Sequence, residues 1–418
     1  MRNSMAGINR ILFRLIQVTA VVVPLTFSAA EDSVSFERRQ LTDRYYCDGV
    51  TVGDINTDGH PDIIAGPFWY AGPLFEVAHA FYEPVPLRPE DSPSNSMFSF
   101  VRDFNADGRP DILVLGRVHK HPAVWYENPG NVDALWNAHI VFDRVKGESP
   151  TLAKLYSDGV PHLLTHADGR WGTIAPDTTQ PKVEWTFHPV GGHEDWPQFY
   201  HGEGIGDMNR DGRPDIVIND GWYEQPREIS KSWQFHRGRF SLRRGGAQMF
   251  IDDIDGDGDS DVISALHGHE WGLAWFERLR DGKHDTATDR QVGQSWFREH
   301  LIMDDRSRKS EFGVAFSQIH ALEYADIDGD GRKDIITGKR LWAHGPTGDV
   351  EPNAAPVVYW FRHTRDSDGR IRFEPHQIDD RSGVGVQICT KDVNNDGRVD
   401  ILTASKLGTF LFINNQCD

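Results

Sequence analysis

Residues Asp326–Asp334 read DIDGDGRKD. Carboxylates stand at positions 1, 3, 5 and 9 of this stretch, and Gly331 stands at position 6. Acidic side chains at alternate positions before a glycine turn wrap oxygen ligands around a hard cation, as in an EF-hand loop. The chain leaves in an apolar, β-branched run, Asp334-Ile335-Ile336-Thr337, which reads as a strand. The stretch therefore predicts a β-hairpin turn with a cation clamped inside it.

The same pattern starts six times along the chain, at Asp54, Asp103, Asp207, Asp253, Asp326 and Asp392. The ligands expected in the first three loops are Asp54, Asn56, Asp58 and Asp62; Asp103, Asn105, Asp107 and Asp111; and Asp207, Asn209, Asp211 and Asp215. In the last three they are Asp253, Asp255, Asp257 and Asp261; Asp326, Asp328, Asp330 and Asp334; and Asp392, Asn394, Asp396 and Asp400. The interval from Asp103 to Asp207 is about double the others, and a degenerate copy, KLYSDGVPH (154–162), fills it. Lys154 replaces the first ligand there, and its ammonium is expected where the cation would sit. The reading is seven repeats and six cation sites.

Each repeat also carries a short extended run before the loop and an apolar strand after it. An aromatic strand follows, such as Val124-Trp125-Tyr126 or Gly221-Trp222-Tyr223, and then a last strand with His or Phe near Ile or Val. Four short strands in each unit of about 50 residues, seven times over, describe an all-β, seven-bladed β-propeller of four-stranded antiparallel blades. The final repeat ends at its third strand, GTFLFINN (408–415), and residues 35–41 resemble Phe373–Ile378. The N-terminal strand is therefore expected to complete the last blade and close the ring, which protects the sheet edges. Trp69, Trp125, Trp222, Trp275 and Trp360 are expected as core between blades, and His139, His188, His300 and His376 as structural residues of outer strands.

Residues 1–30 read as a secretory signal peptide, with Arg2, Arg10 and Arg14 before an apolar run and small residues at Ser28-Ala29-Ala30. That leaves residues 31–418 as a single secreted or periplasmic domain with no later apolar run of membrane-spanning length. Cleavage removes three arginines and no acids, moving the net charge from -19 to -22. So acidic a chain is a poor partner for nucleic acid, whose binding rests on Lys and Arg neutralising phosphates. Bound cations would offset part of the charge. Three cysteines are an odd count for a secreted chain. Two readings stand: a bridge drawn from Cys47, Cys389 and Cys417 across the ring closure, or three reduced thiols.

The loops resemble the FG-GAP/VCBS repeats of secreted propellers, of which the integrin head is one relative. The likeness covers residues 35 to 415. It implies a seven-bladed propeller with Ca²⁺ between the first two strands of a blade, about six structural sites in all, with the position-7 carbonyl as a further ligand. A narrower likeness lies in SALHGHEWGLAWFE (264–277), ITGKRLWAHG (336–345) and SGVGVQICTKDVNNDG (382–397). These stretches are similar to the propeller part of aldos-2-ulose dehydratases, which are metal-dependent sugar dehydratases. No catalytic residue of that family is carried over.

If the loops lie at one end of every blade, the residues flanking the first two strands meet at the opposite face. Counting six residues back from each first Asp gives Asp48, Met97, His201, Ala247, His320 and Val386, with Gln248 and Gln387 one residue on. Counting six forward from each ninth position gives Phe68, Arg117, Gly221, His267, Arg340 and Lys406, and Asp168 in the degenerate copy. The catalytic candidates are His201, His267, His320 and Arg340. The candidates for holding substrate are Arg117, Lys339, Lys406, Gln248, Gln387, Trp271 and Trp342. Two chemistries fit. In one, His267 and His269, spaced i, i+2 and so on one face of a strand, join His201 and His320 around Zn²⁺ or another divalent ion. In the other, Arg117, Arg340 and Lys406 hold an anion while a histidine acts as general base. Both lead to a carbohydrate lyase or dehydratase acting by proton abstraction and β-elimination on a carbohydrate or other small anionic ligand. The alternative is a non-catalytic glycan- or protein-binding adhesion module. The insertions Gly72–Ser96 and His344–Pro356 are expected to overhang this face, and Asp281–Gln294 to form an outer loop.

Overall fold

The computed structural model describes residues 34–90, 93–116, 122–131, 134–143, 145–176, 185–280 and 286–416. These residues form seven antiparallel sheets arranged as the blades of a propeller. Blade one holds Val50–Gly53, Asp62–Ala65, Phe68–Tyr70 and Ala78–Ala80. Blade two holds Phe98–Arg102, Asp111–Leu115, Ala123–Glu127 and Asn137–Phe142. Blade three, the degenerate copy, holds Lys146–Ala153, His162–Ala167, Arg170–Ala175 and Thr186–Pro189. Blade four holds Glu203–Gly206, Asp215–Ile218, Gly221–Glu224 and Gln234–Arg237. Blade five begins Phe250–Asp252, Asp261–Ala265, Leu273–Leu279 and Ser295–Met303, and blade six holds Leu322–Ala325, Asp334–Gly338, Val358–Arg365 and Ile371–Asp379. Blade seven takes Ile388–Lys391, Asp400–Ser405 and Gly408–Asn414 from the C-terminus and Phe36–Thr42 from the N-terminus.

That last pairing runs antiparallel from Phe36 opposite Asn414 to Gln40 opposite Phe410, so the ring closes as the sequence repeat implies. Cys47 and Cys389 pack in the same apolar cluster beside this closure, and neither forms a disulfide among the described residues. Cys417 lies outside the described residues. The run after Leu279 departs from expectation. Asp289–Val292 is a fifth strand on blade five, beyond Ser295–Met303. Cross-strand pairing explains why so polar a run extends: Arg298 meets Asp289 at 2.9 Å and Arg290 meets Glu299 at 2.6 Å, while Val292 is buried.

The second strand of each blade is buried along its length, as a run enclosed by neighbours on both faces requires. The third-strand tryptophans are buried between blades as expected. Each of five stands opposite a fourth-strand histidine: Trp69 and His79, Trp125 and His139, Trp222 and His236, Trp275 and His300, Trp360 and His376. Ring centroids are 4.1–4.7 Å apart. The outer-strand histidines are thus cross-strand lids over the core.

The ninth-position aspartates are the joints of every intact blade. Asp62, Asp111, Asp215, Asp261, Asp334 and Asp400 are at most 1 % exposed. One oxygen of each accepts the backbone N–H of loop position 2, at 2.7–3.1 Å. The other accepts a backbone N–H within two residues of the end of the third strand (Gly72, Asn128, Gln225, Arg278, His363 or Asn414) at 2.8–2.9 Å. From that same third-strand position a side chain often reaches the previous blade. Asn128 donates to the Ile55 carbonyl, Gln225 to Leu155 and Asn414 to Ile327, at 2.8–2.9 Å. Arg278 does the same to Met208. One carboxylate therefore ties strands one, two and three together and sets the residue that locks blade to blade.

Replacing Asp400 by Ala leaves two buried N–H groups without acceptors, a loss of about 2–6 kcal/mol. Urea unfolding should show that loss in the presence of a chelator as well as in its absence. A loss seen only with divalent cation present would reduce Asp400 to a cation ligand.

Candidate functional site

The loop face and the opposite face are built differently. Within the loops, Gly331 and its equivalents at position 6 take φ of 86 to 97°, a left-handed turn that side chains resist. In blades one, two, four and seven the first Asp accepts the N–H groups of positions 5 and 6, for example Asp392 from Asp396 and Gly397. The Asn at position 3 donates to the position-5 Asp in each. These four loops are closed by their own hydrogen bonds. Blades five and six have Asp at position 3, and there the carboxylates of Asp253, Asp255 and Asp261, and of Asp326, Asp328 and Asp334, converge within 4.8 Å. Asp253 Oδ1 and Asp326 Oδ1 are buried without a partner. Burial pushes the ninth-position carboxyls up, to about 8 for Asp261 and about 7 for Asp334, as it does to about 7 for Asp215 in a closed loop. Arg210 lies 3.4 Å from Asp253 and Arg362 2.5 Å from Asp328. The degenerate loop is closed by a side-chain pair instead. His162 Nε2 pairs with Asp158 Oδ2 at 3.0 Å, whereas Lys154 is exposed and does not fill the position expected of it.

On the opposite face, His201 precedes the first strand of blade four, His320 that of blade six, and His269 lies in the turn after the second strand of blade five. One ring nitrogen from each of the three lies within 4.8 Å of the others. Ring centroids are 5.2 Å apart for His201 and His269, 5.5 Å for His201 and His320, and 4.7 Å for His269 and His320. His320 Nδ1 is 3.3 Å from the Gln318 carbonyl, which fixes the proton there and leaves Nε2 with a lone pair. That Nε2 and the Nδ1 of His201 are buried with no hydrogen-bond partner. Glu148 Oε2, from the first strand of blade three, stands 3.7 Å from His201 Nε2. Burial lowers His201 to about 4, against the pull of Glu148, and holds His320 well below the ordinary imidazole range. Both rings are neutral at neutral pH. Neutral imidazoles with free buried nitrogens, beside a carboxylate, suit a divalent transition ion.

The His344–Pro356 insertion packs onto this cluster. Asp349 Oδ1 lies 2.8 Å from His344 Nδ1 and 3.3 Å from His269 Nδ1. The hydrogen bond to Asp349 raises His344 above the ordinary imidazole value. The His344 ring packs 4.5 Å from that of His269. A cavity of about 930 Å³ opens from His201, His269 and His344 across the top of blade four.

Several residues singled out by register are engaged by partners of their own, although Arg340 remains close enough to the cluster for its charge to lower the pKa of His201 and His320. The second strand of blade five ends at Ala265, so period-2 alternation stops before His267. His267 Nδ1 accepts the His269 N–H at 3.1 Å, and only His269 joins the cluster. Arg340 is 2 % exposed and donates to Asp48 Oδ1 at 3.2 Å. Tyr45 Oη and the Ser94 N–H also donate to Asp48, at 2.7 and 2.8 Å. Burial opposes the Asp48 charge, yet Arg340 and these donors hold its carboxyl below the usual range. Lys339 is fully buried with Nζ 3.2 Å from Ser317 Oγ. Lys406 donates to the Pro89 carbonyl at 2.8 Å, which fastens the Gly72–Ser96 insertion to the same face. Gln248 bridges Val386 and Leu322, and Gln387 holds both backbone groups of Ser99, so these amides brace inner strands of different blades. Trp271 and Trp342 lie outside the cavity, which Trp196 and Phe199 line instead. Arg117 lies outside the described residues. His269 is reached only through its i, i+2 spacing from His267, and the His344–Asp349 pair carries no repeat register, so counting from the loops does not single it out.

Residues 326–403, within blades six and seven of the seven-bladed propeller, match the family model of the FG-GAP-like repeat. No curated protein matches the sequence. Among solved structures it is similar to the V. cholerae biofilm matrix protein Bap1, at 9 % identity and a TM-score of 0.46, over 92 % of this chain and 91 % of that one. It is similar also to rhamnogalacturonan lyase YesW, at 11 % identity and a TM-score of 0.45, over 92 % of this chain and 76 % of that one. Among the described residues no helix is long and apolar enough to cross a membrane.

Arg340→Ala strands the Asp48 charge in the interior and should destabilise the fold by about 3–5 kcal/mol, read by urea unfolding at neutral pH. Because the folded Asp48 pKa is depressed, the wild-type contribution is present above the ordinary carboxylate pKa and is lost as pH falls through the folded value. The difference between wild type and variant should therefore shrink in acid. An unchanged difference would place the loss in packing alone.

Proposed function

We propose that this protein is an extracytoplasmic carbohydrate lyase or dehydratase whose proton transfers run at the central face of the propeller. The observation that carries the reading is the three-histidine cluster with unpartnered buried nitrogens, set against a His–Asp pair at one end of a cavity. His201, His269 and His320 would hold a divalent transition ion such as Zn²⁺. Bound there, it would polarise a carbonyl or carboxylate of the sugar and stabilise the enolate formed on proton loss.

The chain's own groups supply the rest. Asp349 accepts the Nδ1–H of His344 and so orients the ring with its Nε2 lone pair free to act. The His344 side chain is 62 % exposed and lines the cavity, so a bound sugar can reach it. His344 takes the proton from the carbon next to the carbonyl, and the C–H electron pair becomes the new C=C bond. The C–O bond at the next carbon breaks, and its oxygen leaves with the bonding pair and recovers a proton from the imidazolium. Arg340, Lys339 and Lys406, held in the interior, keep the wall beneath the cluster rigid.

The Asp-rich loops serve this site as scaffold. Ca²⁺ in them, in blades five and six above all, would neutralise carboxylates that otherwise repel. Chelation should lower the melting temperature, and replacing Asp255 and Asp328 by Asn should remove most of that effect. An unchanged melting temperature in chelator would contradict a structural cation.

The lyase reading is tested by following unsaturated product, by ultraviolet absorbance, from uronic-acid polysaccharides and keto-sugars. His344→Ala should lower kcat by about 10²–10⁴-fold and retain the transition metal. His320→Ala should lose that metal as measured by elemental analysis. Wild type that forms no product from any of these substrates would sink the lyase and leave a glycan- or protein-binding module as the reading. His344→Ala with full turnover would remove His344 from the chemistry.

A further inference from the structure

The cavity above blade four is larger than a proton-transfer site requires. It is lined by His201, His269, His344 and Glu148 and also by Trp196, Phe199 and four arginines, Arg237, Arg239, Arg243 and Arg244. Its volume of about 930 Å³ lies at the upper end of the range for small-molecule sites, with room for more than one sugar ring.

The four arginines are not equivalent. Arg237 pairs with Glu194 at 2.7 Å, Arg239 with Asp220 at 2.8 Å and Arg243 with Asp304 at 3.0 Å. Arg244 is exposed and makes no ion pair or hydrogen bond among the described residues. Its charge is felt at His267, next to the histidine cluster. Of the cations expected from sequence to hold an anion, Arg117 lies outside the described residues, and Arg340 and Lys406 are buried on partners of their own; the substrate-binding candidate Lys339 is buried against Ser317. Three acids also line the cavity. Asp220 is held by Arg239 and by Tyr200 Oη at 2.7 Å, Glu148 stands at the His201 end, and Asp195 is exposed at the rim. Arg244 is thus a guanidinium without a counter-ion in a cleft whose other three arginines are neutralised.

The apolar lining complements it. Phe199 is 46 % exposed and Leu242 71 % exposed, both on this cavity. The neighbouring Trp196 is fixed by edge contacts with Trp171, Tyr200 and Phe235 at 5.6–6.5 Å, so the segment bearing Phe199 is supported from below. An exposed aromatic ring and an unpaired guanidinium lining one cavity fit a ligand with an apolar C–H face and a carboxylate, which is the chemistry of a uronate ring.

We propose that this cleft binds an acidic saccharide, with Arg244 seating a carboxylate and Phe199 stacking against a sugar ring, so that the chain runs toward His344. The assignment rests on the reading of the His344 end as the reacting centre, but its test does not need turnover. Calorimetric titration would use galacturonate, glucuronate and mannuronate oligosaccharides and their carboxyl-reduced, neutral counterparts, at low and high salt. At least one acidic oligosaccharide should bind, its reduced counterpart should bind about 10-fold more weakly or less, and salt should weaken only the acidic ligand. Arg244→Gln should bring the acidic ligand down to the level of the neutral one and leave the melting temperature unchanged, since Arg244 holds no partner. Phe199→Ala should weaken both ligands. Equal affinity for acidic and neutral ligands, Arg244→Gln binding like wild type, or no binding by any acidic oligosaccharide would each overturn the cleft. Binding without unsaturated product would uphold the cleft and remove the lyase. Turnover of a neutral keto-sugar with no preference for acidic ligands would do the reverse.

Discussion

The buried carboxylate at the ninth loop position is the constraint on which the rest depends. A carboxylate taken from water needs compensation at each oxygen. Here two backbone N–H groups supply it, one from the loop and one from the third strand, in all six intact blades. A hairpin alone is marginal. Bonded in this way it becomes a three-stranded unit with a fixed register, and register fixes which residues face the neighbouring blade. The amides of Asn128, Gln225 and Asn414 then extend the same set of bonds across blade boundaries. Cation binding in the loops adds to an architecture that already holds the aspartates by hydrogen bonds.

The rigidity built at the loop end is expressed at the other. Inner strands held in register bring blades three, four, five and six together where His201, His269, His320 and Glu148 meet. Around them most polar groups are satisfied internally: Arg340 by Asp48, Gln248 by Val386 and Leu322, Gln387 by Ser99. A well-satisfied polar network is rigid, and leaving one member unpaired in a low-dielectric interior is unfavourable. The nitrogens of His201 and His320 are among several buried polar atoms without a partner, Arg340 Nε and both oxygens of Glu203 included; what sets them apart is that they converge with His269 on one point, as ligands of a single ion would.

Much of this was legible in the sequence because it repeats. The seven blades, the closure by Phe36–Thr42, the tryptophan core and the face bearing His201 and His320 all follow from a motif with fixed spacing and from strand alternation. Where alternation ends, legibility ends with it. His267 and His269 look equivalent at i, i+2, but they lie in a turn, and only one reaches the cluster. Arg340, Lys339 and Lys406 have the right register for a ligand-binding rim, yet the residues that bury them, Asp48, Ser317 and Pro89, come from elsewhere in the chain.

By itself, then, the sequence determined the repeat, the turn chemistry of each loop and the end of the ring at which titratable groups gather. These are consequences of local geometry, which spacing encodes directly. The tertiary structure alone decided which of those groups remain free. Whether a cation is neutralised, an amide braces a neighbouring strand or an imidazole keeps a lone pair depends on contacts between residues hundreds of positions apart, as with Asp48 and Arg340. His344, held in place by the largely buried carboxylate of Asp349, and Arg244 emerge as groups open to a ligand because the packed ring has engaged most of the others.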